Sequence, residues 1–374
     1  MNGNESDVLV VGGGIVGASL AYGLARLGKS VRLLDEGDVA FRAARGNFGL
    51  VWVQGKGVGA PTYVRWTLRS AAAWPALARA LLEETGVDVE LEQRGGLYMC
   101  LDEDELDGRR AMLTQLRDSI GADYPFEVLD HGATAKLCPE IGPDVVGATL
   151  GPLDGHTSPL RLLRALLQGL TQRGGQVASG HKVKDVAHRG GVFDVTTESG
   201  RFSAPRIVLT AGLGNRDLAP KVGLAAPVQP NRGEILVCER VQPFLRYPTL
   251  HVRQTGEGSL QIGDSKEDVG FDDRTSRIEL AHIAQRAVRI FPLLASINVV
   301  RAWGALRVMT ADGLPIYEAS TRFPGAFVVT CHSGITLAAV HADDLSRWIC
   351  GGERPPEITP FTARRFDVPT SRVH

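Results

Sequence analysis

Residues 7–38 contain a short apolar strand, a glycine-rich turn, a helix and a second strand that ends in acidic residues. The first strand reads DVLVV, and the turn and helix read GGGIVGASLAYGLARLGK. The second strand reads SVRLLDEGD. Two strands joined by one crossover helix predict a parallel unit of an α/β sheet. This segment constrains the fold more than any other part of the chain.

The turn matches the pattern GxGxxG at Gly12, Gly14 and Gly17. Gly12 permits a tight turn, Gly14 lets the backbone approach a pyrophosphate, and Gly17 lets the helix pack closely on the strand. Asp35 ends the second strand, where a carboxylate can accept hydrogen bonds from ribose hydroxyls, and Glu36 is the second choice. The pattern predicts a dinucleotide site but does not distinguish NAD from FAD. The predicted contacts of the turn also include Ile15 and Val16.

Composition disfavours several classes of function. The 374 residues carry a net charge of −1, so neither a nucleic-acid surface nor a polybasic membrane patch is predicted. Five cysteines are scattered without a CxxC pair, which disfavours disulfides, a metal site or an iron–sulfur cluster and favours a cytoplasmic location. The uncharged stretch Val8 to Ala25 contains five glycines after an acidic flank, so we do not expect it to span a membrane.

Further elements follow from local pattern. Helices are predicted over residues 67–85, 160–169 and 277–291, and residues 89–101 are predicted to form a hairpin that turns at Gly95-Gly96. Turns at Gly190-Gly191 and Ser199-Gly200 predict three short strands before a buried strand, RIVLTAG. Residues 226–268 are mostly strand, which suggests an antiparallel sheet.

The segment ARGNFGLVWVQGKG, residues 44–57, holds four glycines and two aromatic residues, Phe48 and Trp52. So many glycines disfavour a helix and interrupt a strand. A mobile surface loop is the alternative, but such loops rarely carry large apolar side chains. We therefore expect this backbone to lie against the cofactor.

Three blocks of the sequence resemble the D-amino-acid-oxidase and glycine-oxidase superfamily of FAD enzymes. They read GGGIVGASLAYGLARLGKSVRLLDEGD, WGALRVMTADGLPIYE and VTCHSGITLAAVHADDLS. The segment NFGLVWVQGKG further resembles the catalytic β subunits of opine (octopine/nopaline) dehydrogenases. It is less similar to the subunits of hydrogen cyanide synthase and hydroxyproline dehydrogenase. The resemblance implies FAD as the cofactor and is weakest between residues 100 and 200.

Parallel-type elements are predicted at the start, middle and end of the chain with antiparallel ones between them, which indicates two interleaved domains. We expect an α/β fold with an α+β insertion, in which a Rossmann-type FAD-binding domain comprises residues 1–55, 140–225 and 296–374. An antiparallel-sheet substrate domain would comprise residues 56–139 and 226–295.

Cofactor contacts follow from the same resemblance. Gly46 and Gly49 would let the backbone approach the flavin closely. The turn of residues 332–336 would stabilise negative charge on the reduced flavin ring. The implied contacts are Arg45, Asn47, Phe48, Gly49, Leu50, Val183 on the adenine side, Ala211, Gly212, Gly304, His332, Ser333, Gly334, Ile335 and Thr336.

Arg307, in WGALR, matches the arginine that binds the substrate carboxylate in glycine-oxidase-like enzymes. A planar guanidinium pairs bidentately with a carboxylate and stays charged. The structural alternative is a surface arginine or an internal salt bridge. Weaker pocket candidates are Trp52, Lys56, His251, Arg253 and Gln261.

Two departures from the sarcosine-oxidase pattern affect the chemistry. Ala305 occupies the position of the cysteine that attaches flavin in those enzymes, so we expect non-covalent FAD. Gln261 occupies the position of their oxygen-activating lysine and offers no cation to stabilise superoxide, which favours a dehydrogenase. Electrons would then leave through α and γ partner subunits that carry an iron–sulfur cluster and further flavin, with peripheral membrane association through those partners left open.

The leading hypothesis is the catalytic β subunit of a heteromeric dehydrogenase. It would oxidise the C–N bond of an amino acid or an opine-like N-substituted amino acid by hydride transfer to flavin, leaving an imine that water hydrolyses. One alternative is a stand-alone D-amino-acid, glycine or sarcosine-type oxidase that produces hydrogen peroxide. Another is an FAD-holding relay subunit without its own substrate. The sequence identifies neither the substrate nor a general base.

Overall fold

The structure is a computed structural model that describes residues 5–37, 43–44, 46–121 and 123–367. Arg45, one of the residues predicted to contact the cofactor, lies outside the described residues.

The strands are distributed along the whole described chain. In chain order they are β1 (Val8–Val11), β2 (Val31–Asp35), β3 (Leu50–Val51), β4 (Gly96–Cys100), β5 (Glu127–Asp130), β6 (Gly147–Gly151), β7 (Gly155–His156), β8 (Gln176–Ser179), β9 (Val183–Arg189), β10 (Val192–Thr197), β11 (Arg201–Ala204), β12 (Arg206–Leu209), β13 (Gln229–Arg240), β14 (Val252–Gln254), β15 (Ser259–Ile262), β16 (Val299–Met309), β17 (Ile316–Ala319) and β18 (Ala326–Thr330).

The helices alternate with these strands. They are α1 (Ile15–Arg26), α2 (Pro61–Thr85), α3 (Glu103–Ile120), α4 (His131–Leu137), α5 (Pro159–Gln172), α6 (Asn215–Leu218), α7 (Arg277–Ile290), α8 (Ala338–Val340) and α9 (Ser346–Ile349). A π-helical turn, His341–Leu345, joins α8 to α9. No helix in the described part of the chain is long and apolar enough to cross a bilayer.

A six-stranded sheet forms the first layer, in the order β17-β18-β12-β1-β2-β8. Its strands run parallel except for β17 at one edge. Val8 and Val10 pack on one face of this sheet, and Leu9 and Val11 pack on the other. Because both faces are buried, β1 is an uninterrupted apolar run rather than an alternating one. The predicted parallel unit is confirmed.

The antiparallel elements also agree with the prediction in type. Strands β9, β10 and β11 form a three-stranded meander beside the central sheet. Strands β14, β15, β13 and β16 form a four-stranded antiparallel sheet with β16 at its edge. Another sheet, β4-β6-β5, shares an apolar core with the four-stranded sheet and α7.

Strand pairing places some elements differently from the predicted domain boundaries. Strand β6 pairs with β4 and β5, and β16 pairs with β13, although both lie in ranges assigned to the FAD-binding domain. Helix α2, assigned to the substrate domain, packs through Trp74 and Leu81 against α5 and α8. The boundaries between the two parts therefore lie at other residues than the predicted ones.

The predicted hairpin at residues 89–101 is wrong. Strand β4 pairs with β6, while Glu92 bridges to His156. Gly96 is required for packing, because a Cβ there would lie 2.4 Å from the Trp52 ring and 2.9 Å from Asp154 Cβ. The glycine pair therefore reflects close contacts and not a two-residue hairpin turn.

Candidate active site

The glycine-rich turn follows β1 and opens into α1, as predicted. Gly12 has φ of 107°, and a Cβ there would lie 2.5 Å from the Thr210 carbonyl oxygen. A Cβ on Gly17 would lie 1.9 Å from the Gly12 carbonyl oxygen, so only glycine permits this approach of helix to turn. A Cβ on Gly14, in contrast, would meet nothing within 4 Å. The turn is thus sterically fixed at both ends and open over Gly14, at the positive end of α1.

Asp35 lies against this turn. Its carboxylate accepts hydrogen bonds from the backbone N–H groups of Gly13 (2.7 Å) and Gly37 (2.8 Å). Glu36 instead pairs with Lys182 at 3.1 Å. Asp35 is therefore the acid held beside the open turn, which fits a role in binding ribose hydroxyls.

The carboxyl end of β12 meets the same turn. Thr210 Oγ1 donates to the carbonyl oxygens of Val11 (2.8 Å) and Gly12 (2.9 Å), which places Ala211 and Gly212 beside the glycine motif. Ligands of open α/β sheets bind at such carboxyl ends. Val183, at the start of β9, packs beside the apolar core under the sheet, and its contact with adenine stays a prediction.

An open cleft lies beside the turn, between the central sheet and the four-stranded sheet. Its lining comes from residues 43–56, from the strands β13 and β16 with the 263–264 bend, and from the loop of residues 331–336. The predicted residues that the fold brings together here are Asn47, Phe48, Leu50, Trp52, Lys56, Arg307, His332, Ser333, Ile335 and Thr336.

The glycines of the 43–56 stretch have mainly internal roles. Gly49 has φ of 89°, and a Cβ there would lie 2.4 Å from the Thr157 carbonyl oxygen. A Cβ on Gly46 would lie 2.3 Å from the side chain of Ala305. These glycines bring the segment against β7 and β16, and this leaves the side chains of Phe48 and Trp52 at the cleft.

Arg253 lies behind the cleft and holds this segment. Its Nη1 donates to the Phe48 carbonyl oxygen (3.1 Å) and to Gln261 Oε1 (2.9 Å), while its Nε donates to His156 Nδ1 (2.7 Å). Burial lowers the pKa of Arg253 to about 10, so it stays charged at neutral pH. A cation therefore does lie beside Gln261, which weakens the argument that position 261 lacks one.

His251 is also placed outside the cleft lining. Its ring stacks edgewise on Tyr98 at 5.4 Å between centroids. Burial, with Arg286 and Arg109 nearby, lowers the pKa of His251 to about 3. It is therefore a neutral packing residue beside β4.

The 331–336 loop is fixed by α2. Trp74 Nε1 donates to the carbonyl oxygens of Ile335 and Thr336 (both 3.1 Å), and Ser70 Oγ donates to the latter at 2.7 Å. Thr336 Oγ1 accepts from the N–H of Trp52 at 3.1 Å. Gly334 packs against Val16 of α1, since a Cβ there would lie 3.3 Å from Val16 Cγ2. The loop thus joins the glycine-rich turn to the cleft.

Lys56 and His332 give the cleft an unusual electrostatic character. Lys56 Nζ donates to Ser333 Oγ at 2.7 Å and forms no ion pair with any carboxylate in the described chain. Burial lowers the pKa of Lys56 to about 8. His332 faces the cleft, and desolvation followed by the charges of Lys56 and Arg307 lowers its pKa. A neutral imidazole therefore lies near two cations.

Arg307 lies on β16 and lines the cleft, but it is also part of an internal network. Its Nη1 donates to Asn231 Oδ1 (3.1 Å) and to the Arg232 carbonyl oxygen (3.0 Å). Its Nη2 forms a salt bridge with the carboxylate of Asp264. The alternative of an internal salt bridge is therefore seen, and Arg307 also faces the cleft, so its role as a substrate anchor stays a prediction.

Two acids of the site were not predicted from the sequence, and one glycine predicted to contact the cofactor lies elsewhere. Asp264 directly follows the SLQIG strand, yet nothing in that pattern indicates its pairing with Arg307. Asp154 is buried beneath the cleft, and its Oδ1 accepts from the N–H of Val53 at 2.5 Å. Gly304 turns away from the cleft, since a Cβ there would lie 2.5 Å from the Asp273 carbonyl oxygen. Its predicted cofactor contact gains no support from this position.

Comparisons with known proteins agree with this arrangement. The chain matches the family described as FAD dependent oxidoreductase (DAO) over residues 7–348. It is 44% identical over 363 residues to an opine oxidase subunit of Agrobacterium tumefaciens (strain Ach5), an alignment that covers 97% of this chain and 98% of that protein. It is 29% identical to the HcnC component of hydrogen cyanide synthase of Pseudomonas protegens, covering 96% of each chain. The crystal structure of glycine oxidase from Geobacillus kaustophilus superimposes with a TM-score of 0.89 at 26% identity, covering 96% of this chain and 98% of that one.

The fold, the dinucleotide turn and these relatives together define a flavin-dependent oxidoreductase. The chain belongs to the DAO family of FAD-dependent oxidoreductases. Its cofactor is FAD, held non-covalently, as the sequence predicted. The residues fit this cofactor, because the space over Gly14 is open, Asp35 lies beside it, and Ala305 offers no thiol for attachment.

Proposed function

We propose that this chain oxidises the C–N bond of an N-substituted, opine-like amino acid as the catalytic subunit of a heteromeric dehydrogenase. The observation that carries the proposal is the position of Arg307, a guanidinium in the wall of the cleft beside the FAD turn. The 44% identity to a protein named as a subunit of opine oxidase supports the substrate class and the subunit role.

FAD, when bound, accepts a hydride from the substrate carbon next to nitrogen. The chain supplies binding and orientation. Arg307 is suited to hold the substrate carboxylate through two parallel hydrogen bonds, in exchange for or together with its contact to Asp264. Phe48 and Trp52 provide apolar walls that exclude water from the reacting bond.

His332 and the 331–336 loop complete this environment. The backbone N–H groups of Gly334, Ile335 and Thr336 have no protein acceptor among the described residues. Free N–H groups can stabilise negative charge that develops beside them. His332, held neutral, can donate or accept a hydrogen bond without adding charge.

The test is a screen for flavin reduction under argon. The holoprotein would be mixed with octopine, nopaline, hydroxyproline, sarcosine, glycine and D-amino acids. The proposal expects bleaching of the flavin spectrum by at least one opine, faster than by the simple amino acids. If glycine or a D-amino acid reduces the flavin and opines do not, the opine assignment is wrong. If no amine bleaches a flavin that dithionite reduces, the chain is a relay subunit without its own substrate.

A stand-alone oxidase is the second candidate, and one observation favours it. Lys56 supplies a cation in the cleft, and Arg253 lies beside Gln261, so stabilisation of superoxide does not require a lysine at position 261. Air oxidation of the reduced chain separates the candidates. A dehydrogenase reoxidises slowly and recovers with an artificial acceptor, whereas an oxidase turns over rapidly and releases stoichiometric hydrogen peroxide.

A further inference from the structure

Lys56 differs from the neighbouring arginines because it has no ion-pair partner among the described residues. Arg307 pairs with Asp264, and Arg232 pairs with Glu267 at 2.7 Å. Lys56 donates only to the neutral hydroxyl of Ser333 and is half-buried in the cleft wall. A partly desolvated ammonium without a counter-ion is unfavourable unless a ligand supplies one. Lys56 is therefore a candidate to bind an anion that enters the cleft.

The titratable groups whose charges act on Lys56 include no ion-pair partner within the described chain. They are Asp154, Cys331, Lys266 and Asp264. Burial raises the pKa of Asp154 to about 7 and that of Cys331 to about 12, so the first is only partly charged near neutrality and the second is a neutral thiol. The Asp264 carboxylate is engaged by Arg307. Lys266 adds further positive charge. The surroundings leave the ammonium available for an anionic ligand.

Lys56 and Arg307 approach the cleft from different walls. Lys56 belongs to the segment that follows Trp52 and is fixed against the 331–336 loop, whereas Arg307 belongs to edge strand β16. Both charges act on His332, which lies on the cleft surface near each of them. The two cations thus flank one stretch of the same cleft.

We propose that Lys56 binds a second substrate carboxylate, so that the site selects N-(1-carboxyalkyl) amino acids with one carboxylate on Arg307 and the other on Lys56. The secondary amine would then lie between the two anchors. This inference rests on the proposed function and adds the residue that separates opine-like substrates from amino acids with a single carboxylate.

The experiment compares two substrates that differ by one carboxylate: octopine, which is N2-(1-carboxyethyl)arginine, and N2-ethylarginine. For each substrate, the rate constant for flavin reduction is divided by the dissociation constant, both measured under argon. The compared quantity is the ratio of the octopine value to the N2-ethylarginine value. The wild-type ratio is expected to favour octopine by about 10- to 100-fold, the effect of one charged hydrogen bond. Lys56→Met is expected to reduce the ratio to within about threefold of unity, and Lys56→Arg to restore part of it.

Lys266→Met is the matched control, because Lys266 is an exposed lysine near Lys56 that does not line the cleft. Its ratio should stay within about twofold of the wild type. A second readout avoids turnover: titration of the oxidised holoprotein with diglycolate and methoxyacetate, ethers with two carboxylates and one. Lys56→Met should abolish the preference for diglycolate that the wild type shows in the flavin spectrum.

A pH series gives a third readout. Lys56 must be protonated to hold a carboxylate, so the wild-type preference should fall as pH rises above about 8, and Lys56→Arg should keep its preference across that range.

The outcomes separate the inference from the function on which it rests. If octopine and N2-ethylarginine reduce the flavin and Lys56→Met slows both equally, Lys56 serves the flavin or the fold, and the inference is wrong. If neither substrate reduces the wild-type flavin, the proposed function fails and the inference fails with it. If Lys56→Met purifies without flavin, the Lys56→Arg holoprotein is titrated with diglycolate and methoxyacetate instead. A Lys56→Arg variant that shows no preference for diglycolate over methoxyacetate would contradict a charge contact.

Discussion

The glycine-rich turn after β1 takes its shape from contacts close to the strand ends, whereas the cleft takes its charged groups from segments far apart in the chain. In the turn, the carbonyl oxygens of Gly12 and Thr210 fill the space that a Cβ would need at Gly17 and Gly12. In the cleft, Lys56, Arg307 and His332 are brought together only by the complete fold.

The two regions also differ in how they treat charge. The turn offers backbone N–H groups and a helix end, so its attraction for phosphate does not depend on side-chain ionisation. The cleft depends on ionised side chains: Arg307 is paired with an internal carboxylate, and Lys56 has no carboxylate partner in the described chain. Changes in the turn should therefore affect cofactor retention for every substrate, while changes in the cleft should affect substrates according to their charge.

Gly17→Ala should have the largest effect. Its Cβ would lie 1.9 Å from the Gly12 carbonyl oxygen, so the turn must move, at an expected loss of about 3 kcal/mol or more in the free energy of unfolding. The protein should retain no FAD, as measured by flavin absorbance per chain. Gly14→Ala is the control: its Cβ meets no protein atom, so apoprotein stability should change by less than about 1 kcal/mol while FAD affinity falls. Equal destabilisation by both changes would contradict the steric account of the turn.

Arg307→Ala should weaken the use of carboxylate substrates by about 3 kcal/mol, or on the order of 100-fold in kcat/KM. The reason is the loss of a bidentate charged contact in the cleft. Arg307→Lys keeps the charge without the planar fork and should give an intermediate loss. Single-turnover flavin reduction measures both variants. An unchanged rate and affinity for the true substrate in Arg307→Ala would remove Arg307 from the site.

Asp154→Asn should change the pH dependence of stability. Burial raises the pKa of Asp154 to about 7 from its ordinary value of 3.8, so the folded chain holds this proton more tightly than the unfolded chain. The stability that this group contributes is fully present below about pH 4 and is lost as pH rises through about 7, a change on the order of 4 kcal/mol. Asparagine keeps an oxygen for the N–H of Val53, so the variant should lack this slope in urea unfolding of the apoprotein. Asp194→Asn, an exposed change on β10, should keep the pH dependence of the wild type. If Asp154→Asn also kept the wild-type pH dependence, the raised pKa would not belong to Asp154.

Asp264→Asn should have the smallest effect. It should strengthen the binding of carboxylate ligands, whereas Arg307→Ala should weaken it. Without the internal carboxylate, Arg307 is free for the substrate, and affinity should rise by roughly 1 kcal/mol, or about fivefold. Titration of the flavin spectrum with diglycolate measures this affinity. Weaker binding would show that Asp264 contacts the ligand favourably instead of competing with it.

The sequence alone was sufficient to predict the glycine-rich turn, because that turn is built from a local pattern. The glycine spacing and Asp35 predicted the turn because each of those residues acts through backbone beside it in the sheet. The same reasoning failed at Gly95-Gly96, where the glycines serve packing against Trp52, a contact that local pattern does not contain.

The cleft was predicted only in part. Family resemblance placed Arg307, but its pairing with Asp264 depends on how the bend after β15 meets β16. Arg253 and Gln261 were candidates for the pocket, yet they contact each other behind Phe48. Lys56 looked like one weak candidate among several, and only the complete fold reveals that it has no carboxylate partner in the described chain.

The most direct test of the account is a stoichiometry measured under argon. Holoprotein with known FAD content would be mixed with excess octopine, and both the loss of oxidised flavin and the release of 2-oxo acid would be followed. The account predicts one 2-oxo acid per FAD reduced, since hydride transfer leaves an imine that water hydrolyses to an amine and a carbonyl product. Flavin that stays oxidised with octopine but is reduced by dithionite would contradict it, as would bleaching without release of a 2-oxo acid.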